Sequence, residues 1–113
     1  MEVCGKVIQG GKTASRVYGI PTANLLARPT DLAPGIYIGL VKWENVAWSP
    51  CVISWHDVLE VHVLDWTGNL YDQELTVAVD KRVSDFVPFE SHEQMKEKIH
   101  NDLKKAKQML GLN

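Results

Sequence analysis

Short apolar runs, some alternating with polar side chains, recur between turn signals from Val3 to Asp80 and mark out the elements. In "VCGKVIQGG", Val3, Gly5 and Val7 fall on one side and Cys4, Lys6 and Ile8 on the other, which predicts a strand running into a glycine turn. "GIYIGLVKW" (Gly35 to Trp43) is β-branched and aromatic, with the turn signal Ala33-Pro34-Gly35 before it and the polar Glu44-Asn45 after it. "SPCVISW" (49 to 55), "VLEVHVLDW" (58 to 66) and "QELTVAVD" (73 to 80) read as further strands, the last two joined through Thr67-Gly68-Asn69, which suits a hairpin connection.

The period changes at Ser91. Met95, Ile99, Leu103, Ala106 and Leu110 recur at spacings of three and four, so one apolar stripe runs along a helix whose other faces carry Lys, Glu, Asp and Gln. Ser91 followed by Gln94 is a capping-box pattern, and Gly111 supplies the stop. A run of short strands followed by one helix predicts a small β-barrel with the helix laid against it, because closure leaves no strand edge to cover.

Composition narrows this picture without redirecting it. A chain of 113 residues, 45% hydrophobic and 23% charged, has the size and balance of a single globular domain, 1 to 113. No apolar run approaches the roughly 20 residues of a transmembrane helix, and "MEVCGKVIQ" has no apolar segment like that of a secretory signal. The expected location is the cytoplasm, with no membrane contact. A net charge of -2 with acids and bases interspersed leaves no basic stripe for a nucleic-acid backbone, so a small molecule is the expected partner. Cys4 and Cys51 lie far apart without metal or redox spacing and read as two buried or half-buried thiols.

Three places could carry chemistry. "GGKTASR" offers glycines that let the backbone approach an anion, with Lys12 and Arg16 as cationic donors. It is either a phosphate loop or a plain surface turn. It is not a Walker loop, since Lys6 stands where the G-x-x-x-x-G-K spacing requires glycine. Further on, Pro21 stiffens an extended segment on which Thr22 and Asn24, two apart, point to one side; their neutral oxygens could face one hard cation or could satisfy turn backbone groups. Glu60 and His62 share a face of the strand "VLEVHVLDW". On a solvent face both are ordinary; lining a cleft, Glu60 is a candidate general base.

The order of these landmarks is more specific than any one of them: G-K-V-I-x-G, then S-R-x-x-G-I-P-T-A-N-L, P-G-I-Y-x-G, L-E-V-H-V-L-D-W, N-L-Y, and F-E-S leading into a helix with an early I-x-x-D. Over nearly the whole chain this order resembles the riboflavin kinase (flavokinase) family. The resemblance implies a six-stranded Greek-key β-barrel with a C-terminal α-helix, acting as a monomer that uses ATP to phosphorylate the ribityl 5′-hydroxyl of riboflavin, giving FMN. It implies that Thr22 and Asn24 help hold a divalent ion, Mg2+ or Zn2+, with the nucleotide phosphates. It places Gly10, Gly11, Lys12, Ser15, Arg16, Gly19, Pro21 and Tyr71 at the nucleotide, Glu60 as the base, and Val83, Phe86 and Phe89 beside the flavin ring.

The chain departs from the family pattern at several points. Ala14 and Ser15 occupy the middle of the glycine loop, "SWHD" replaces a longer connection between strands, L-Y-G has become Leu70-Tyr71-Asp72, and an arginine and a glutamate before the helix have become Ser84 and Phe86. These changes define the alternative, a barrel that binds a flavin or nucleotide without turnover. A protein-interaction domain is the third reading, on the strength of Trp43, Trp48, Trp55 and Trp66. Many bacterial members join this module to an adenylyltransferase domain; these residues match the kinase module alone, so conversion of FMN to FAD is not expected.

Overall fold

Alternation becomes closure in three dimensions. The computed structural model of the chain describes residues 1–8, 22–44, 47–64, 70, 72–88 and 90–112. Its strands are β1 (Glu2–Ile8), β2 (Ala23–Leu26), β3 (Gly35–Lys42), β4 (Ser49–Trp55), β5 (Leu59–Val63) and β6 (Glu74–Ser84), followed by α1 (His92–Met109). All neighbours pair antiparallel and the sheet closes in the order β1-β2-β5-β4-β3-β6. Three hairpin-connected strands, β3 to β5, have β2 returning beside β5, which is Greek-key connectivity.

Each strand turns one face inward. Leu25, Val41, Ile53, Leu59, Leu75 and Val77 are among the side chains that fill the barrel. Burying each such side chain stabilises the fold by about 1.5–3 kcal/mol. Trp43 and Trp55 also belong to this interior, which removes two of the four tryptophans from any partner surface; Trp48 is exposed, with Lys42 Nζ 4.8 Å from its ring centroid. Cys51 is fully buried, and burial pushes its thiol up to about 12. Cys4 corrects the expectation of two buried thiols: the alternation that turns Gly5 and Val7 inward turns Cys4 outward with Lys6, and it is exposed.

The helix covers a second apolar cluster on the outside of the barrel. Ile38, Val52 and Val83 present outward residues of β3, β4 and β6 to Ala106, with Leu103, Leu110 and Leu112 packed around them. Ser91 caps the helix as its spacing predicts, its Oγ accepting from Gln94 N at 3.2 Å. The stop is also as predicted. Gly111 takes φ 76, Leu112 N donates to Lys107 O at 2.7 Å and Gly111 N to Gln108 O at 3.1 Å, the paired bonds of a Schellman turn.

One polar cluster fastens the seam. Lys98 Nζ donates to Asp102 Oδ2 at 2.6 Å and to Ser84 Oγ at 3.0 Å, and Ser84 Oγ donates to Asp102 Oδ1 at 2.7 Å. The Lys98 and Asp102 side chains keep only 22% and 14% of their surface exposed, so the bonds are little screened. Replacing Lys98 with methionine keeps the stem but leaves Asp102 without its cation. Chemical denaturation should show a loss of about 1–2 kcal/mol; an unchanged midpoint would assign the seam to apolar packing alone.

Two strand boundaries differ from the sequence reading. The segment predicted as a strand over 58 to 66 is a strand only over Leu59–Val63, with Val58 in a bend and Leu64 in a turn. The last strand runs past Asp80 to Ser84 because its tail still pairs with β3, Tyr37 opposite Arg82 and Ile36 opposite Ser84.

Candidate functional site

The register of the barrel assembles a row of outward side chains that is discontinuous in sequence. Asn24 on β2 stands opposite Glu60 on β5, Glu60 opposite Ser54 on β4, Ser54 opposite Ile36 on β3, and Ile36 opposite Ser84 on β6. Asn24 and Glu60 are outward because their neighbours Ala23, Leu25, Leu59 and Val61 all belong to the interior.

Outward does not mean solvated here. Asn24 is only 3% exposed, the one polar side chain among the buried described residues. Thr22, two residues before it, has a buried Oγ1 with no hydrogen-bond partner. A buried hydroxyl left unsatisfied costs about 1–3 kcal/mol, a cost that a bound water or ion relieves. Two neutral oxygen donors, one of them orphaned, fit a hard cation whose charge is balanced mainly by phosphates.

Glu60 is half-buried, and its carboxyl is pushed above the usual carboxylate range, first by burial and then by the negative charge of Asp57. A carboxylate raised in this way binds a proton more firmly, as a general base requires. Glu60 stands opposite buried Asn24 in a row whose other members, Ser54, Ile36 and Ser84, are half-buried.

Further along the same end, the chain holds itself closed. Tyr37 Oη donates to Ala33 O at 2.6 Å, Trp55 Nε1 donates to Leu32 O at 2.9 Å, and Arg82 donates to Tyr37 Oη at 3.0 Å and to Asp85 Oδ1 at 2.8 Å. The Asp85 hydrogen bond is the main reason the Arg82 guanidinium is held still more firmly protonated than usual. Beside this cluster the imidazole of His56 lies flat on Phe86, ring centroids 4.5 Å apart and planes 9° from parallel. Sequence reading treats "SWHD" only as a short connection, and no periodicity links it to the segment before the helix.

The other expected site residues divide cleanly. Val83 is 3% exposed and packs between barrel and helix, a position that gives it a packing role. Gly10, Gly11, Lys12, Ser15, Arg16, Gly19, Pro21, Tyr71 and Phe89 lie outside the described residues, as do Trp66 and the expected turn at Thr67-Gly68-Asn69. Asp72 has φ 64, the left-handed conformation that glycine adopts freely and aspartate tolerates better than most residues. Its carboxylate lies 3.8 Å from Lys6 Nζ, so the charge added at this position has a nearby cation.

Fold and site together define a class: a closed, helix-covered Greek-key barrel with a buried amide on β2, an orphaned hydroxyl just before it, and on β5 a carboxylate whose pKa is raised by burial. The comparison with protein families makes this specific. The Flavokinase family model, riboflavin kinase, matches residues 1–110, and the chain belongs to that family. It is 34% identical over 115 residues to a bifunctional riboflavin kinase/FMN adenylyltransferase of Pseudomonas fluorescens, covering 93% of this chain and 37% of that one. A mouse riboflavin kinase is 28% identical over 126 residues, covering 96% and 79% of the two chains. The crystal structure of riboflavin kinase from Trypanosoma brucei superposes with a TM-score of 0.72 at 19% identity, over 97% of this chain and 76% of that one, a likeness of fold. The chain thus spans little more than a third of its bacterial relatives and most of its mouse relative.

Proposed function

We propose that the chain transfers the γ-phosphate of ATP to the ribityl 5′-hydroxyl of riboflavin, producing FMN and ADP. The observation that carries this reading is the register that sets Glu60 directly beside buried Asn24, which lies two residues from the unpartnered Thr22 hydroxyl, in a chain of the riboflavin kinase family. In the reaction the ribityl oxygen forms a bond to the γ-phosphorus as the bond to the bridging oxygen of ADP breaks. Glu60 takes the hydroxyl proton, for which its raised pKa suits it. Thr22 and Asn24 would hold a divalent ion, Mg2+ or Zn2+, which when bound neutralises the phosphate oxygens. Lys12 and Arg16 supply the remaining positive charge, and no covalent enzyme intermediate is required. Phe86 and Phe89 border the flavin ring.

Thr22→Val tests the ligand assignment because it keeps the side-chain shape and removes only the hydroxyl. Deleting an unsatisfied buried group should leave the thermal midpoint unchanged or higher, while the metal concentration needed for half-maximal activity with ATP should rise about tenfold. A metal titration that does not move would refute the assignment. The activity is tested by incubating the protein with riboflavin, ATP and Mg2+ or Zn2+ and separating the flavins. Product co-eluting with FMN is expected, whereas riboflavin binding without product under any metal would leave a non-catalytic barrel.

A further inference from the structure

The stacked pair of His56 and Phe86 joins two segments that the family pattern treats separately, and both residues are departures from that pattern. The register explains why they meet. β4 and β6 both run antiparallel to β3 and therefore run parallel to each other on either side of it. Ser54 and Ser84 flank Ile36 in one row; His56 and Phe86 lie two residues beyond them, in the same direction, and stack across the start of β3.

The imidazole has one face on Phe86, yet 53% of its side chain remains exposed. The ring thus offers exposed surface beyond its contact with Phe86, backed by that half-buried phenyl ring, and its Nδ1 lies 3.6 Å from the Asp57 carboxylate. Offset-parallel stacking at this separation is an ordinary favourable geometry for aromatic rings, and a platform that needs no rearrangement loses little entropy on binding. The platform is also at the right reach. Glu60 stands opposite Ser54, and His56 follows two residues after Ser54, in the bend that joins β4 to β5. A ring system resting on the imidazole would project its polyol arm towards Glu60.

Resting on the flavin reading above, we propose that His56, backed by Phe86, is the surface on which the isoalloxazine ring stacks. The proposal adds a ring-binding residue from the β4–β5 connection to the segment before the helix.

The test measures fluorescence quenching of riboflavin and of lumichrome, which carries the ring system without the ribityl chain. His56→Ala should raise the dissociation constant of both by about tenfold, an effect of the size found for stacked bases on aromatic side chains. His56→Phe, which restores a flat ring, should recover most of the affinity. The KM for riboflavin should follow the dissociation constant, with the KM for ATP unmoved. Parental or tighter binding by His56→Ala would overturn the platform, the tighter case showing that the imidazole merely blocks Phe86. A constant raised for riboflavin but not for lumichrome would also overturn it, since the contact would then be to the polyol. A parent protein that binds neither probe would overturn the flavin reading itself, and the platform with it.

Discussion

Glu60→Gln is expected to lower the rate of FMN formation by about 10²-fold or more and to leave riboflavin binding close to that of the parent. The substitution keeps the size of the side chain and one oxygen acceptor on β5, so the row from Asn24 to Ser54 retains its geometry. What it removes is the capacity to accept a proton. The same change should not destabilise the fold: the folded state holds the Glu60 carboxyl proton more tightly than the unfolded chain does, so ionising it at neutral pH opposes folding, and the neutral amide relieves that cost. Lower activity with an equal or higher thermal midpoint is the pattern of a group placed for chemistry. Single-turnover rates at saturating riboflavin and ATP provide the check, and equal rates in variant and parent would remove Glu60 from the mechanism.

Gly39→Ala acts on the opposite link, from packing to fold, and should cost about 3 kcal/mol. β6 crosses β3 where their register shifts between Tyr37 and Gly39, and a methyl group at this point would run into the carbonyl oxygen of Ala78 and come within 2.9 Å of Ile53 Cδ1. The first obstacle is backbone, which cannot rotate away as a side-chain tip can. β6 closes the barrel by pairing with β3 on one side and β1 on the other, so a shift at β3 loosens closure and carries the helix contacts of Ile38 and Val83 with it. Urea unfolding measures the loss. A midpoint equal to the parent's would mean that the two strands separate without resistance.

The residues differ in how openly they announced these roles. Alternation of Val3, Gly5 and Val7, or of Leu59, Val61 and Val63, is a direct imprint of an inward face, and the three-and-four spacing from Met95 to Leu110 is as direct for the helix. β2 was hidden because its pattern is inverted: Asn24 is polar and buried, while Leu26 is apolar and 68% exposed. That inversion also singles out Asn24, since an amide buried on the outward face does not fill the barrel. The tail of β6 looked like a loop because Asp80, Lys81 and Arg82 are charged, yet Arg82 pairs with Tyr37 across the strand and holds Asp85.

The functional geometry needed more than periodicity. Thr22, Asn24 and Glu60 could each be singled out along the chain, but only the β2–β5 pairing brings an amide and a carboxylate from distant segments to facing positions. His56 carried no signal at all, since stacking on Phe86 depends on two connections that emerge in parallel on either side of β3. Roles for the glycine loop and for Tyr71 rest on the order of motifs alone.

The activity proposed for this barrel is transfer of a phosphoryl group from ATP to riboflavin. The most direct measurement supplies ATP labelled at the γ-phosphate, with riboflavin and a divalent metal, and follows the label by chromatography. Label in a flavin that co-migrates with FMN, in proportion to riboflavin consumed and lost with Glu60→Gln, is the predicted result. Label that stays in ATP, or appears only as inorganic phosphate while riboflavin is unchanged, would contradict it.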